Sequence, residues 1–188
     1  MKLTLATNEE INILYSKFKK FNIHLLEEPS MLYNHIGIMD VYNRVLTEEE
    51  ASELVGRSRN LKYSAKFINT FMELFRIEEK EAYVHLNKKG IGKEEFRYIL
   101  STLNRIEANF FRKLFSDSKG IYRIEDVETL IFLINLSVNE RYFANFFFPS
   151  IDTVIIGNWD LCFPVYCKTE AGFKVCKEIV KENGLFIR

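Results

Sequence analysis

Length, composition and charge limit what kind of protein this sequence can encode. It has 188 residues with 26 basic and 26 acidic side chains, and 17 Phe and 9 Tyr supply much of its apolar content. A chain of this length can bury a sizeable core as one domain or two small ones. The charge balance does not indicate a protein that binds nucleic acid over its whole surface or mimics a polyanion.

The cysteines and the amino terminus indicate the compartment. Cys162, Cys167 and Cys176 are odd in number, which argues against a complete disulfide framework and favours a reducing cytoplasm. The chain becomes polar at Asn8, too early for a secretory leader. No run approaches the about 20 apolar residues that cross a bilayer, so we expect no membrane span.

Two capping boxes mark the starts of predicted helices. Thr7 and Glu10 have the required spacing, because the hydroxyl can accept the third helical N–H while the carboxylate reaches back to the cap. The helix that they begin should run to Phe21, with its apolar residues three and four apart. Thr47 and Glu50 repeat the pattern at the start of a second helix.

The rest of the first 148 residues is predicted to be mainly helical. Ile23–Leu26 fits a strand, and the pattern of Met31–Val45 leaves helix and strand open. Further helices are predicted at Ser64–Phe75, Glu78–Lys88, Lys93–Leu103 and Arg105–Phe115, and another from Glu125 through Ile134.

The carboxyl-terminal segment, residues 151–188, predicts a strand, a turn, a strand, a helix and a strand. Ile151–Ile156 is short, apolar and β-branched, and Gly157–Asn158 supplies turn residues before the strand Leu161–Cys167. A helix at Ala171–Lys181 precedes Leu185–Ile187, which should dock in a sheet.

We therefore expect one α+β domain over residues 1–188. Its helix-rich part would cover residues 1–148, and a small, largely antiparallel sheet would be built around the carboxyl-terminal ββαβ segment. No internal repeat, low-complexity tract or Pro-rich linker divides the chain.

The sequence predicts no catalytic residue, no metal site and no cofactor. Cys162 and Cys167 lie five apart in a predicted strand, so their side chains point to opposite faces and are poorly placed to share a zinc ion. His85 follows Glu81 by four residues in a predicted helix, where such a pair stabilises the surface. Gly90–Lys93 joins two predicted helices, whereas a phosphate-binding loop follows a strand.

The most basic cluster consists of Arg57, Arg59, Lys62 and Lys66, with Tyr63 among them. Four positive charges beside an aromatic ring could contact phosphates and stack a base. Tyr63 and Phe67, which lie among these charges, are four residues apart at the start of a predicted helix. This is the spacing of ordinary core contacts, which is the interpretation that we favour.

Aromatic residues concentrate around the carboxyl-terminal segment. Trp159 and Tyr166 flank Pro164, which cannot donate to a strand ladder, so we expect this strand to be an edge strand or to be interrupted at Pro164. An edge carrying two large amphipathic rings is a candidate surface for protein recognition. Coverage of the same strand by helices is the alternative.

The stretch Asn158–Tyr166, followed by a short helix and Asn183–Arg188, resembles the ends of small bacterial immunity proteins. These belong to toxin-immunity pairs such as contact-dependent growth inhibition systems. The resemblance implies a cytoplasmic, non-catalytic inhibitor that binds a cognate toxin domain and blocks its active site or substrate surface. With it, Trp159, Asp160 and Tyr166 become candidate toxin-binding residues.

Two other functions stay open at this point. One is a nucleic-acid-associated regulatory protein that uses the basic cluster. The other is a hydrolase or transferase with a dispersed active site, in which the fold would gather His35 or His85 with a cysteine or carboxylate in a pocket.

Overall fold

The computed structural model describes residues 1–18, 33–54, 57–79, 81–86, 91–116 and 120–188. Within them, eight antiparallel strands form one sheet in the order β1-β4-β3-β5-β6-β7-β2-β8. The strands are β1 (Leu3–Leu5), β2 (His35–Asp40), β3 (Ala82–Leu86), β4 (Ile121–Ile124), β5 (Ala144–Phe148), β6 (Thr153–Ile156), β7 (Phe163–Cys167) and β8 (Phe186–Ile187). The helices are α1 (Asn8–Lys17), α2 (Glu48–Leu54), α3 (Arg57–Ile77), α4 (Lys93–Ser101), α5 (Arg105–Ser116), α6 (Val127–Val138) and α7 (Glu170–Glu182).

The mixed α+β class is confirmed, but the expectation of a small sheet around the carboxyl-terminal segment is wrong. Strands β1 to β5 come from the first 148 residues and extend the sheet well beyond that segment. Several strands are apolar on both faces, which weakens the alternating pattern that identifies a strand in a sequence.

The predicted helix Glu78–Lys88 is also wrong, because residues 82–86 within it form the strand β3. Helix α3 ends just before, and Glu79 adopts a left-handed backbone conformation with φ 51° that turns the chain into the sheet. His85 therefore lies in a strand, opposite Ile121 on one side and Asn145 on the other. The predicted contact with Glu81 required both residues to lie in one helix, and they do not.

Both predicted capping boxes are confirmed. The Thr7 hydroxyl accepts the N–H of Glu10 at 3.2 Å, and the Glu10 carboxylate accepts the N–H of Thr7 at 2.7 Å. Thr47 and Glu50 form the same pair of bonds at 3.2 and 3.0 Å. These signals are local, so the surrounding fold does not alter them.

The predictions for residues 8–45 have different outcomes. The first helix ends at Lys17, with Phe18 as its C-cap, which is short of the predicted end at Phe21. The strand predicted at Ile23–Leu26 lies outside the described residues. For Met31–Val45 the sequence left helix and strand open, and residues 35–40 form the strand β2.

Apolar side chains cover both faces of the sheet. On one face, called here the helical face, the core includes residues of α3, α6 and α7, and Phe71 meets Phe146 with ring centroids 4.7 Å apart. On the opposite face, Phe18 follows α1 and contacts Phe147 edge-on at 5.3 Å. Burying each such ring contributes about 1.5–3 kcal/mol.

The carboxyl-terminal segment folds into β6, β7, α7 and β8 as predicted, but β7 is not an edge strand. It lies between β6 and β2. Ile38, opposite Pro164, exchanges both of its backbone hydrogen bonds with Arg188, at 2.8 and 3.1 Å. Pro164 therefore faces β6, beyond the last ladder pair Ile155–Val165, where a missing donor does no harm.

An ion pair holds the end of the chain against β2. The Arg188 Nε donates to Asp40 Oδ2 at 2.8 Å, and the Asp40 side chain is only 4% exposed. The other carboxylate oxygen of Asp40 accepts the N–H of Tyr42 at 3.0 Å. Removing one partner would leave the carboxylate buried without its countercharge.

We expect Arg188→Met to lower the free energy of unfolding by about 2–3 kcal/mol, because Asp40 stays buried and loses its charged partner. Urea titration followed by circular dichroism measures this change. The matched control is Lys174→Met, which breaks the exposed Glu170–Lys174 pair at 2.7 Å and should cost much less, because solvent screens that pair. Equal losses in the two variants would contradict a structural role for the Asp40 pair.

Helix α7 comes very close to the turn at Pro149–Ile151. A Cβ added to Gly172 would lie 2.0 Å from the carbonyl oxygen of Ile151, a backbone atom that cannot move aside alone. The N–H of Gly172 also donates to the capping hydroxyl of Thr169 at 3.2 Å. Only glycine allows this approach.

Gly172→Ala should therefore destabilise the protein by about 3 kcal/mol, as overpacking against fixed backbone does. The melting temperature and the urea midpoint check it. Gly92→Ala is the control, since nothing lies within 4 Å of a Cβ there, and it should cost about 1 kcal/mol or less. A wild-type midpoint for Gly172→Ala would show that α7 does not pack as described.

Candidate functional site

Trp159, the single tryptophan of the chain, lies on a short turn between β6 and β7. It is 58% exposed, yet its ring is fixed by an edge-to-face contact with Phe143, whose centroid is 4.8 Å away. A large exposed ring held in one orientation is typical of residues that anchor an interface.

The backbone of this turn has an unusual conformation. Asp160 and Leu161 are both left-handed, with φ 58° and 57°, which costs about 1 kcal/mol or more for each such residue. The Leu161 side chain is fully buried, and the N–H of Asp160 donates to the Glu140 carboxylate at 2.8 Å. These two anchors hold the turn and keep the indole directed outward.

Beside the indole is a cleft of about 270 Å³, here called the Trp159 cleft. Glu95, Glu140 and Arg141 provide its charged groups, and no ion pair joins these three side chains within the described residues. It is lined by Ile91, Glu95, Glu140, Arg141, Tyr142, Phe143 and Trp159. The cleft thus combines apolar walls with charged groups of both signs.

Tyr142 is one of the residues that line the Trp159 cleft, but its hydroxyl is buried. The residue is 7% exposed, and its hydroxyl has no hydrogen-bond partner among the described residues. Burial, followed by Tyr122 and Glu95, raises the pKa of the phenol, so it remains a hydrogen-bond donor. An unsatisfied buried hydroxyl costs about 1–3 kcal/mol.

Tyr166 does not belong to this surface, so grouping it with Trp159 and Asp160 is wrong. It is 7% exposed and stacks on Tyr33 on the opposite face, with centroids 5.3 Å apart. The cause is the interior position of β7, because both faces of an interior strand are covered here. Trp159 and Asp160 remain exposed and adjacent in the turn.

The basic cluster is only partly defined. Arg57 and Arg59 lie in the first turn of α3, and their side chains lie outside the described part of the structure. The ammonium groups of Lys62 and Lys66 lie 5.2 and 5.6 Å from the ring centre of Tyr63. Lys66 also donates to the carbonyl of Gly184 at 2.7 Å, so it helps to hold α3 against the end of α7.

The cysteines occupy structural positions. Burial and the neighbouring Asp40 raise the pKa of Cys162 to about 11, so its thiol is protonated and a poor nucleophile at neutral pH. Cys167 and Cys176 are fully buried and share a hydrogen bond with each other. Cys162 lies just before β7, where its thiol donates to Asp40 Oδ2 at 3.3 Å, whereas Cys167 lies within β7 in the core of the helical face.

The histidines are dispersed as well. His35 stacks on Phe173 at 5.7 Å, and burial lowers the pKa of His85, which favours its neutral form. His24 lies outside the described residues. Over the described ranges, no group of three or more His, Cys, Asp or Glu side chains could hold a metal ion.

A second cavity, of about 290 Å³, lies beside α1 on the opposite face. Its most buried carboxylate, Glu78, accepts the N–H of Ser150 on both oxygens at 2.9 and 3.0 Å, while burial raises the pKa of Glu78. It is lined by Glu10, Ile13, Leu14, Glu78, Glu79, Glu81, Tyr83, Pro149 and Ser150. Neither His35 nor His85 lines this cavity or the Trp159 cleft.

Comparison of the chain with models of protein families, with curated proteins and with solved structures gave no match. In the part of the chain that the structure describes, no helix has the length and apolar character needed to cross a bilayer. The site is therefore interpreted from its own geometry.

Tyr142→Phe should leave the free energy of unfolding unchanged or raise it slightly, because the hydroxyl that it removes has no hydrogen-bond partner among the described residues. Chemical denaturation measures this. Tyr83→Phe is the matched control: its hydroxyl donates to Glu10 at 3.0 Å, and its loss should cost about 1–2 kcal/mol. A loss at Tyr142 as large as that at Tyr83 would show that the Tyr142 hydroxyl has a partner.

Proposed function

We propose that this protein is a non-catalytic immunity protein, which binds a cognate bacterial toxin domain in the cytoplasm and blocks its active site or substrate surface. The observation that carries the proposal is the exposed Trp159, held on a strained turn beside a cleft. The resemblance of the carboxyl-terminal segment to the ends of immunity proteins supports the same function.

The physical support comes from preorganisation. Ordering a flexible side chain at an interface costs about 0.5–1.5 kcal/mol, and Trp159 avoids much of this cost because Phe143 already fixes its ring. The buried Leu161 and the bond from Asp160 to Glu140 fix the backbone beneath it. A rigid indole beside a cleft is a suitable anchor for tight, stoichiometric inhibition.

The test uses the full chain and the toxin domain encoded by the neighbouring gene. The wild-type chain should bind that domain in a one-to-one complex and restore growth to cells that produce it. Trp159→Ala should weaken binding about 30-fold or more, the loss expected for an interface anchor. Isothermal titration calorimetry and growth rescue provide the two measurements.

The control is Ile13→Ala, which truncates an apolar side chain of similar exposure, 54%, on α1 at the opposite face. It should bind the toxin like the wild type. The proposal fails if the wild-type chain neither binds nor protects, or if both variants bind equally well.

A further inference from the structure

Two of the three cysteines meet where helix α7 covers the sheet. Cys167 in β7 is paired with Thr153 of β6 and with His35 of β2. Paired residues of neighbouring strands point to the same face, and His35 stacks on Phe173 of α7, so the Cys167 thiol faces α7. Cys176 follows Phe173 by three residues and lies on the buried side of the helix. Strand register, helical spacing and burial therefore bring both thiols to one interface.

The two thiols are hydrogen-bonded to each other, and the groups around them hold them in place. Cys176 donates to Cys167, which lowers the pKa of Cys167 and raises that of Cys176. The Cys167 sulfur lies 3.0 Å from the hydroxyl oxygen of Thr153, and this hydroxyl donates to the carbonyl of Ile151 at 2.9 Å. Gly172 packs against the same carbonyl, so the helix that carries Cys176 is fixed close to the sheet.

This arrangement meets the main requirement for a disulfide. Such a bond forms only where two cysteines approach closely, with Cβ atoms about 3.5–4.5 Å apart. Because Cys167 and Cys176 already share a hydrogen bond, side-chain rotation alone can bring their sulfur atoms together. The third cysteine, Cys162, is engaged elsewhere, since its thiol donates to Asp40 at 3.3 Å.

We infer that hydrogen peroxide oxidises Cys167 and Cys176 to a reversible disulfide, which links α7 covalently to β7. Both cysteines are fully buried, so a small neutral oxidant can reach them where a bulky disulfide such as oxidised glutathione cannot. In reducing surroundings, disulfides of this kind are transient and report on oxidants. The inference is independent of the proposed toxin binding.

The reaction consumes one molecule of peroxide. The sulfur of Cys167 attacks one peroxide oxygen, the O–O bond breaks, and the departing hydroxide takes the Cys167 proton and leaves as water. The sulfur of Cys176 then attacks the sulfenic acid on Cys167, which forms the S–S bond and breaks the S–O bond. The second hydroxide takes the Cys176 proton. Two electrons pass from the sulfur atoms to the peroxide, and two waters are released.

The test counts free thiols in the full-length chain. The reduced, folded protein is treated with hydrogen peroxide, quenched with catalase, unfolded and alkylated with iodoacetamide, and its intact mass is measured. We expect the number of alkylated cysteines to fall from three to one, with the loss of two hydrogen atoms from the mass. Dithiothreitol should restore all three.

Serine variants identify the pair. Cys162→Ser keeps a donor for Asp40 and is the matched control, so it should still form the disulfide and leave no cysteine to alkylate. Cys167→Ser and Cys176→Ser should each form no internal disulfide. Circular dichroism checks that these variants fold. Fragmentation of the linked peptides from the oxidised wild type assigns the same two cysteines without any substitution.

The oxidised wild type should also unfold at a higher urea concentration than the reduced one, because the link restrains the unfolded chain. The inference is overturned if peroxide leaves all three thiols free, if the disulfide includes Cys162, or if it forms only after the chain is unfolded in urea. A lower urea midpoint on oxidation would likewise show that the native packing of α7 does not accommodate the bond.

Discussion

The two-sided burial of the sheet is the constraint on which the rest of the structure depends. Adjacent residues such as Phe146 and Phe147 point to opposite faces, and both are buried, one in the helical core and the other against α1. A sheet of this kind has little face left to offer a partner. The ends of the strands stay accessible, and the turn that carries Trp159 leaves the sheet at such an end.

Local signals in the sequence were sufficient for several elements. The capping residues Thr7 and Thr47 act within one helical turn, and the carboxyl-terminal unit is marked by its own turn and cap residues, so both could be predicted without the rest of the fold. Strand β3 could not be predicted from local signals. Its residues follow a charged segment that resembles a helix, and its conformation is decided by pairing with β4 and β5, which lie 35 or more residues away along the chain.

The residues of the candidate site also divide into those that local sequence signals identify and those that only the tertiary fold brings together. Trp159 and Asp160 could be selected because a turn between two strands exposes its residues. Pro164 suggests an edge strand, and an edge would expose Tyr166. In the fold, however, β7 is an interior strand, and the backbone position where Pro164 lacks an N–H lies beyond the end of the β6–β7 pairing. Glu95 and Tyr142 reach Trp159 only through the tertiary fold, and nothing in their own sequence surroundings indicates the cleft that they share.

The pairing of β2 has a consequence for biosynthesis. Its neighbours in the sheet are β7 and β8, and the ion pair that closes this edge joins residues 148 positions apart, Asp40 and Arg188. Until β7 and β8 have been synthesised, β2 therefore has neither of its partners, and its open edges are exposed to other nascent chains. Contacts of such long sequence separation slow folding, so the interval before they form is the time of greatest exposure to aggregation.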